Sequence, residues 1–312
     1  MRKWSGILAR PRMATVVLVA AATVPAEPAG AQEFAPQDTT GTAKTGSEFL
    51  IPMGSLFLPG LGQFIYGDRS SGFAYGASAV AGYGLYSKSG TLFDSGDLPR
   101  DTDEQVGTSG LFLASGASYL SAYDAFGRGV RDHQREGEYA FLTDRAEVSD
   151  LFTAPFDPGF LGRWTTWANL AYTGVITGIV LSDRERDASY EPFRGRDVGF
   201  AAALSLSAGI GEEAAFRGWL FPLFHETFGE RFWLSNGLQS LLFAAGHIGG
   251  ARKFSGVIGA WAFYEGWLTR RNGWSVRESI FHHFWYDMAV VIATLVTDER
   301  PRVALTFPTI RF

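Results

Sequence analysis

The sequence predicts an all-α fold: a polytopic membrane helical bundle of about 7–8 transmembrane helices after a signal-like N-terminus. Three observations carry that expectation. Apolar stretches of near-span length recur along all 312 residues. The charged fraction is only 19 %, while 38 glycines accompany 26 phenylalanines, a combination suited to helices that pack closely in lipid. Finally, the few ionisable groups inside the apolar stretches are isolated, and such groups at membrane depth are functional by default.

The elements follow in order. Arg2, Lys3, Arg10 and Arg12 open the chain, Ala14 to Val24 is apolar but short for a span, and Ala29-Gly30-Ala31 offers a small-x-small cleavage site. Residues 1–31 therefore read as a signal peptide, with an uncleaved first anchor as the alternative. Residues 32–48 are a polar, disordered lead. In 49–164, the N-terminal membrane helices and an Arg-rich loop, the stretch 49–66 is broken by Pro59-Gly60 and reads as re-entrant rather than spanning. Broken backbone at that depth needs protein cover. Further spans are expected at 71–87, 108–126, 165–182, 197–223, 232–247, 254–269 and 279–297, leaving 298–312 as a tail. Small residues four apart, as in Gly72/Gly76, Gly110/Ala114/Ser118/Ala122 and Gly174/Gly178, place helix-contact faces on three of them. The terminal RVALTFPTIRF imitates a barrel strand, but the apolar runs here are long and do not alternate.

Composition also excludes. A formal charge of −5 argues against a nucleic-acid partner, and the absence of cysteine removes disulfides, thiol nucleophiles and thiolate metal sites. Arginines in 127–164 and 269–278 favour a cytoplasmic placement of those loops, whereas Arg184, Arg186 and Arg194 oppose it, so orientation stays open.

The chemistry lies in the C-terminal half. Between Val198 and Phe224 an apolar run contains Glu212, Glu213 and Arg217. Each such group costs roughly 2.5–3.5 kcal/mol to place at the helix centre. Glu213 and Arg217 are four apart and form an ion pair on one face. Glu212 lies about 100° round the helix and needs a partner elsewhere. Phe243 and His247 are four apart on a second apolar stretch, His283 and Asp287 on a third. A carboxylate beside a histidine can deprotonate water. A second histidine can donate to the oxyanion that forms on a carbonyl. His282 reads as a neighbour of His283, Glu265 as the partner of an arginine or, alternatively, a substrate contact, and Asn236 and Gln239 as interhelical hydrogen-bond formers. His225-Glu226 is not a zinc-protease helix, because Gly229 stands where the second histidine would be.

Glu212-Glu213-Ala-Ala-Phe-Arg217, Phe243…His247 and His283…Asp287 resemble the E-E-x-x-x-R, F-x-x-x-H and H-x-x-x-N motifs of the CPBP family of intramembrane proteases, which includes CAAX prenyl proteases and Abi-type proteins. The resemblance covers roughly residues 165–297. It implies a catalytic membrane domain in 165–297, with Glu212 as the base that activates water and His247 assisting. It further implies that Glu213 and Arg217 set the electrostatics, and that His283 and position 287 bind the oxyanion. Asp287 departs from the Asn of the pattern, and an ionised carboxylate cannot donate a hydrogen bond. The implied activity is a glutamate-dependent endopeptidase acting on a peptide or membrane-protein substrate. No cofactor is expected; zinc on Glu212, His247 and His283 is the alternative. Membrane lipid is the expected surrounding, and the bacterial inner (cytoplasmic) membrane the expected location. A non-catalytic scaffold or immunity-type binding protein is the competing reading. A transporter would need paired broken helices in related halves, and no repeat is visible.

Overall fold

A computed structural model describes residues 47–89, 98–99, 101–134, 137–182, 193–247 and 255–297. The expected signal peptide and the tail lie outside the described residues, as does the polar lead apart from Ser47 and Glu48, which begin the first helix. Of the described residues 84 % are helical and none lies in a strand.

The chain opens with α1 (Ser47–Phe57) and α2 (Leu61–Ile65), each too short to cross a bilayer. Between them Gly60 takes φ 97°, and a Cβ there would sit 2.2 Å from the carbonyl oxygen of Gly72. Only glycine tolerates that turn. Protein covers the break. Gly60 N donates to Ser121 Oγ at 2.8 Å, and Gly62 N to Ser55 Oγ at 2.8 Å. Fully buried Gln63 donates to Ser121 O at 3.0 Å and to Asp124 Oδ2 at 2.9 Å. Gly60 N and Gly62 N, on either side of the break, therefore find internal partners, as buried backbone groups require.

Asp68 then leads into α3 (Arg69–Ser89). Burial pushes its carboxyl up, but bonds from Ser71 and Ser70 and the charge of Arg128, 2.7 Å away, hold it down at about 2. Helix α4 (Thr102–Gln134) runs back along α3. The two meet where Gly82 faces Gly110: a Cβ on Gly82 would lie 2.5 Å from Gly110 O. Backbone contact of this kind is what the small-residue spacing of α4 is for.

A short α5 (Val148–Thr153) and two 3₁₀ turns lead to α6 (Trp164–Ser182). Then come α7 (Gly195–Ala215), a π-helical turn at Phe216–Leu220 and α8 (Phe221–Thr227), forming one continuous helical run. Helix α9 (Phe232–Gly246) pairs with α10 (Ser255–Arg271), and α11 (Arg277–Thr297) closes the bundle against α6 and α7. Helix α4 packs on α7 from the other side, so α7 is enclosed. One core cluster joins Phe126 and Tyr139 to Trp219, Phe221 and Trp274, linking the first half of the chain to the second.

Large apolar side chains lie on the surface as well as in the core, and several polar groups are buried. Phe73, Val80, Trp167, Val175, Trp233 and Leu241 are all exposed, whereas Gln63, Asn169, Glu212, Glu213, Arg217, Gln239 and Glu265 are buried. Among the described residues one helix, Arg277–Val296, is long and apolar enough to cross a membrane, with mean hydropathy 1.3. By that measure the 7–8 spans expected from the sequence are not reached. The reason is visible in α3 and α6, where Ser, Thr, Tyr and Gly dilute the apolar content that short windows of the sequence suggest.

Candidate active site

Two adjacent glutamates can both point inward only if their helix is enclosed. Every residue from Ala208 to Ala215 is buried. On one side α11 comes so close that a Cβ on Gly209 would lie 3.1 Å from Phe284 N; on the other, a Cβ on Gly211 would meet Tyr119 of α4 at 3.1 Å. The π turn begins directly after Ala215 and carries Arg217. Such wider turns are frequent at functional sites, since they re-aim side chains within a helix.

Arg217 Nη1 donates to Glu213 Oε1 at 3.0 Å, with both side chains fully buried. His283 Nδ1 reaches the same oxygen at 2.9 Å. Glu213 is thus held by a guanidinium and an imidazole at once. Asp287 lies one turn along α11, with Oδ2 3.5 Å from His283 Nε2. His247, the residue that ends α9, has Nδ1 2.7 Å from Phe243 O. A carbonyl only accepts, so Nδ1 carries the proton, and in the neutral ring Nε2 presents its lone pair.

Glu212 finds the partners it lacked in its own helix. Its Oε2 lies 4.0 Å from His247 Nε2 and 4.0 Å from His283 Nε2, and it accepts no hydrogen bond. Both imidazoles are therefore steered by an acceptor at Nδ1, and both present Nε2 to one carboxylate oxygen. Aromatic rings enclose the group. Phe243 lies 4.6 Å from the His247 ring, with the Arg217 guanidinium 4.2 Å from its own centroid; Trp261 meets His283 edge-on at 5.0 Å.

The structure thus brings Glu212, Glu213, Arg217, His247, His283 and Asp287 together from α7, α9, α11 and the π turn. It departs from expectation at Glu265, which meets His282 Nδ1 at 3.1 Å and Asn169 Nδ2 at 3.0 Å rather than an arginine. His282 Nε2 in turn faces Thr166 Oγ1 at 3.2 Å. This second polar knot ties α6, α10 and α11 together and was hidden because its members come from three separate stretches. The only sequence signal was that each is a polar group in an apolar run. Asn236 and Gln239 do bond across to α10, through Phe263 O at 2.9 Å and Ala262 O at 3.4 Å. His225 lies in an aromatic nest with Phe141 and Trp274, and Glu226 accepts from Tyr139 N at 3.1 Å.

Among the described residues no group of three or more His, Asp or Glu is arranged to hold a metal ion. Tetrahedral zinc ligands at about 2.1 Å stand roughly 3.4 Å from one another. The Glu212 oxygen is 4.0 Å from each imidazole nitrogen, beyond that spacing.

Among the described residues, a helical bundle that encloses a carboxylate–imidazole cluster defines the class: a helical protein with an internal polar site. Comparison with known families finds one similarity. Residues 195–289 match the family model described as Rce1-like, type II CAAX prenyl endopeptidase. This stretch is similar to an Rce1-like domain, a similarity consistent with the CPBP proteases; that family is membrane-embedded and its function is of the protease type. The match includes all six site residues and is narrower than the 165–297 read from the motifs. No curated protein and no solved structure matches the chain.

Proposed function

We propose that this protein is an intramembrane endopeptidase that hydrolyses a peptide bond with water activated by Glu212. The observation that carries the reading is the convergence of His247 Nε2 and His283 Nε2, each 4.0 Å from Glu212 Oε2, which accepts no hydrogen bond. A water held among these atoms loses a proton to Glu212 as its oxygen attacks the scissile carbonyl, with His247 Nε2 accepting from the same water. The proton then passes to the departing amine, leaving a carboxyl and an amino terminus. His283, in its imidazolium form, faces the oxyanion. Asp287 serves by holding and charging His283 from 3.5 Å rather than by donating a hydrogen bond. Glu213 and Arg217 hold the cluster in place. Lipid covers the exposed Phe, Trp and Leu side chains, the substrate is a peptide or membrane protein, and the chain resides in a bacterial inner membrane. The reaction needs no metal.

The test compares new peptide N-termini in membranes carrying the wild type with those carrying Glu212→Gln or His247→Ala. Both variants are expected to insert and to lose cleavage. Products unchanged by either substitution would refute the mechanism. Cleavage that survives exhaustive chelation and does not rise with added zinc is expected; its loss on chelation would replace the metal-free reading.

A further inference from the structure

A hydrolytic site needs donors where negative charge develops on the carbonyl oxygen. Position 287, the second oxyanion position of the resembled motif, is a carboxylate here and has no proton to give when ionised. The His247 and His283 Nδ1 atoms are already committed, to Phe243 O at 2.7 Å and Glu213 Oε1 at 2.9 Å. Among the described residues, the buried donors beside the site without an acceptor are Arg217 Nε and Nη2 and Trp261 Nε1. A buried donor left unpaired is destabilising, so each asks for a reason.

Arg217 has one already. Its charge is spent on Glu213 at 3.0 Å, and the rings of Phe243 and Trp261 cover its guanidinium at 4.2 and 5.5 Å. Trp261 has none. It sits on α10, its ring edge-on to His283 at 5.0 Å and stacked on Tyr286 at 6.0 Å. The unpartnered acceptor Glu212 Oε2 and the unpartnered donor Trp261 Nε1 are both closed to solvent. One suits the attacking water, the other the carbonyl oxygen under attack.

We propose that Trp261 is a further catalytic residue: its indole N–H donates to the oxyanion of the tetrahedral intermediate, the task position 287 cannot perform as a carboxylate. The assignment rests on the hydrolytic reading above. It adds a residue from α10 to a site otherwise read from α7, α9 and α11. The bond balance is simple: the N–H shares its proton with the carbonyl oxygen as the C=O π bond becomes a lone pair, and releases it when the carbonyl reforms.

The experiment replaces Trp261 in the full chain with 3-benzothienylalanine, which keeps the two-ring shape and exchanges N–H for sulfur. Trp261→Phe serves as a second variant and 5-fluorotryptophan, which keeps the N–H, as the control. The readout is the initial rate at which Glu212-dependent new N-termini form in membranes. The sulfur analogue and Trp261→Phe are expected to lower that rate about a hundredfold, and the fluoro analogue to preserve it. A sulfur analogue within about twofold of wild type overturns the assignment and leaves the proteolytic reading standing. An equal loss with the fluoro analogue marks a packing role and also overturns it. Wild-type membranes without any Glu212-dependent products overturn the proteolytic reading and this assignment together.

Discussion

Glu212 and Glu213 are adjacent, both buried and chemically identical, yet their environments give exchange for glutamine different consequences for stability. Glu213 accepts from Arg217 at 3.0 Å and His283 at 2.9 Å, inside a group shielded from water. At an effective dielectric of about 20, a unit pair at 3 Å attracts by roughly 5–6 kcal/mol, part of which offsets desolvation. Removing one partner of a buried pair leaves the other uncompensated, so Glu213→Gln is expected to cost about 3–5 kcal/mol. Glu212 bears the same desolvation, but its Oε2 has no hydrogen bond and no basic nitrogen nearer than 4.0 Å. Neutralising an under-compensated buried charge relieves the fold, so Glu212→Gln is expected to leave stability unchanged or raise it by about 1 kcal/mol. Both variants are expected to lose cleavage. The assay is equilibrium unfolding in mixed detergent micelles, run beside the N-terminus readout. Equal destabilisation by the two substitutions, or a Glu213→Gln cost below about 1 kcal/mol, would refute the division into a structural and a chemical glutamate.

Other outcomes follow from single contacts. Asp287→Asn replaces a charge-assisted contact on His283, worth about 1.5–3 kcal/mol, and should slow cleavage about ten- to a hundredfold; a rate at or above wild type would restore a donor role to position 287. Gly209→Ala places a methyl 3.1 Å from Phe284 N, next to His283, and should cost about 1–3 kcal/mol along with activity. Gly178→Ala, where nothing lies within 4 Å, is the control and should be neutral by thermal unfolding. Asp68, held near 2 rather than its ordinary 3.8, contributes stability that is complete above the ordinary value and lost as pH falls through about 2. Because its ion pair with Arg128 is partly solvated, Asp68→Asn should cost no more than about 1 kcal/mol at pH 7, and the gap to wild type should vanish in strong acid.

Much of the fold was legible because helical periodicity is local. The helices α3, α6, α9, α10 and α11 lie close to the expected spans, and the Pro59-Gly60 break appears where two helix-incompatible residues stand together. Within one helix, four residues make about one turn, so Glu213 with Arg217 and His283 with Asp287 could be paired from spacing alone. What the spacing could not supply is which faces of different helices meet. That depends on crossing angles and on close approaches such as Gly209 against Phe284 and Gly82 against Gly110, and these are properties of two surfaces at once. Hence Glu212 could be marked as needing a partner, while only the tertiary structure joined it to His247 and His283. For the same reason Glu265 took His282 instead of an arginine, and Trp261, an ordinary aromatic in the sequence, became a buried donor beside His283. The sequence by itself determined the ionisable groups, their helices and their order. The packing of α7, α9, α10 and α11 decided which of them share one enclosed space, because burial raises the cost of every unpaired charge and so rewards only the arrangement that lets the groups meet.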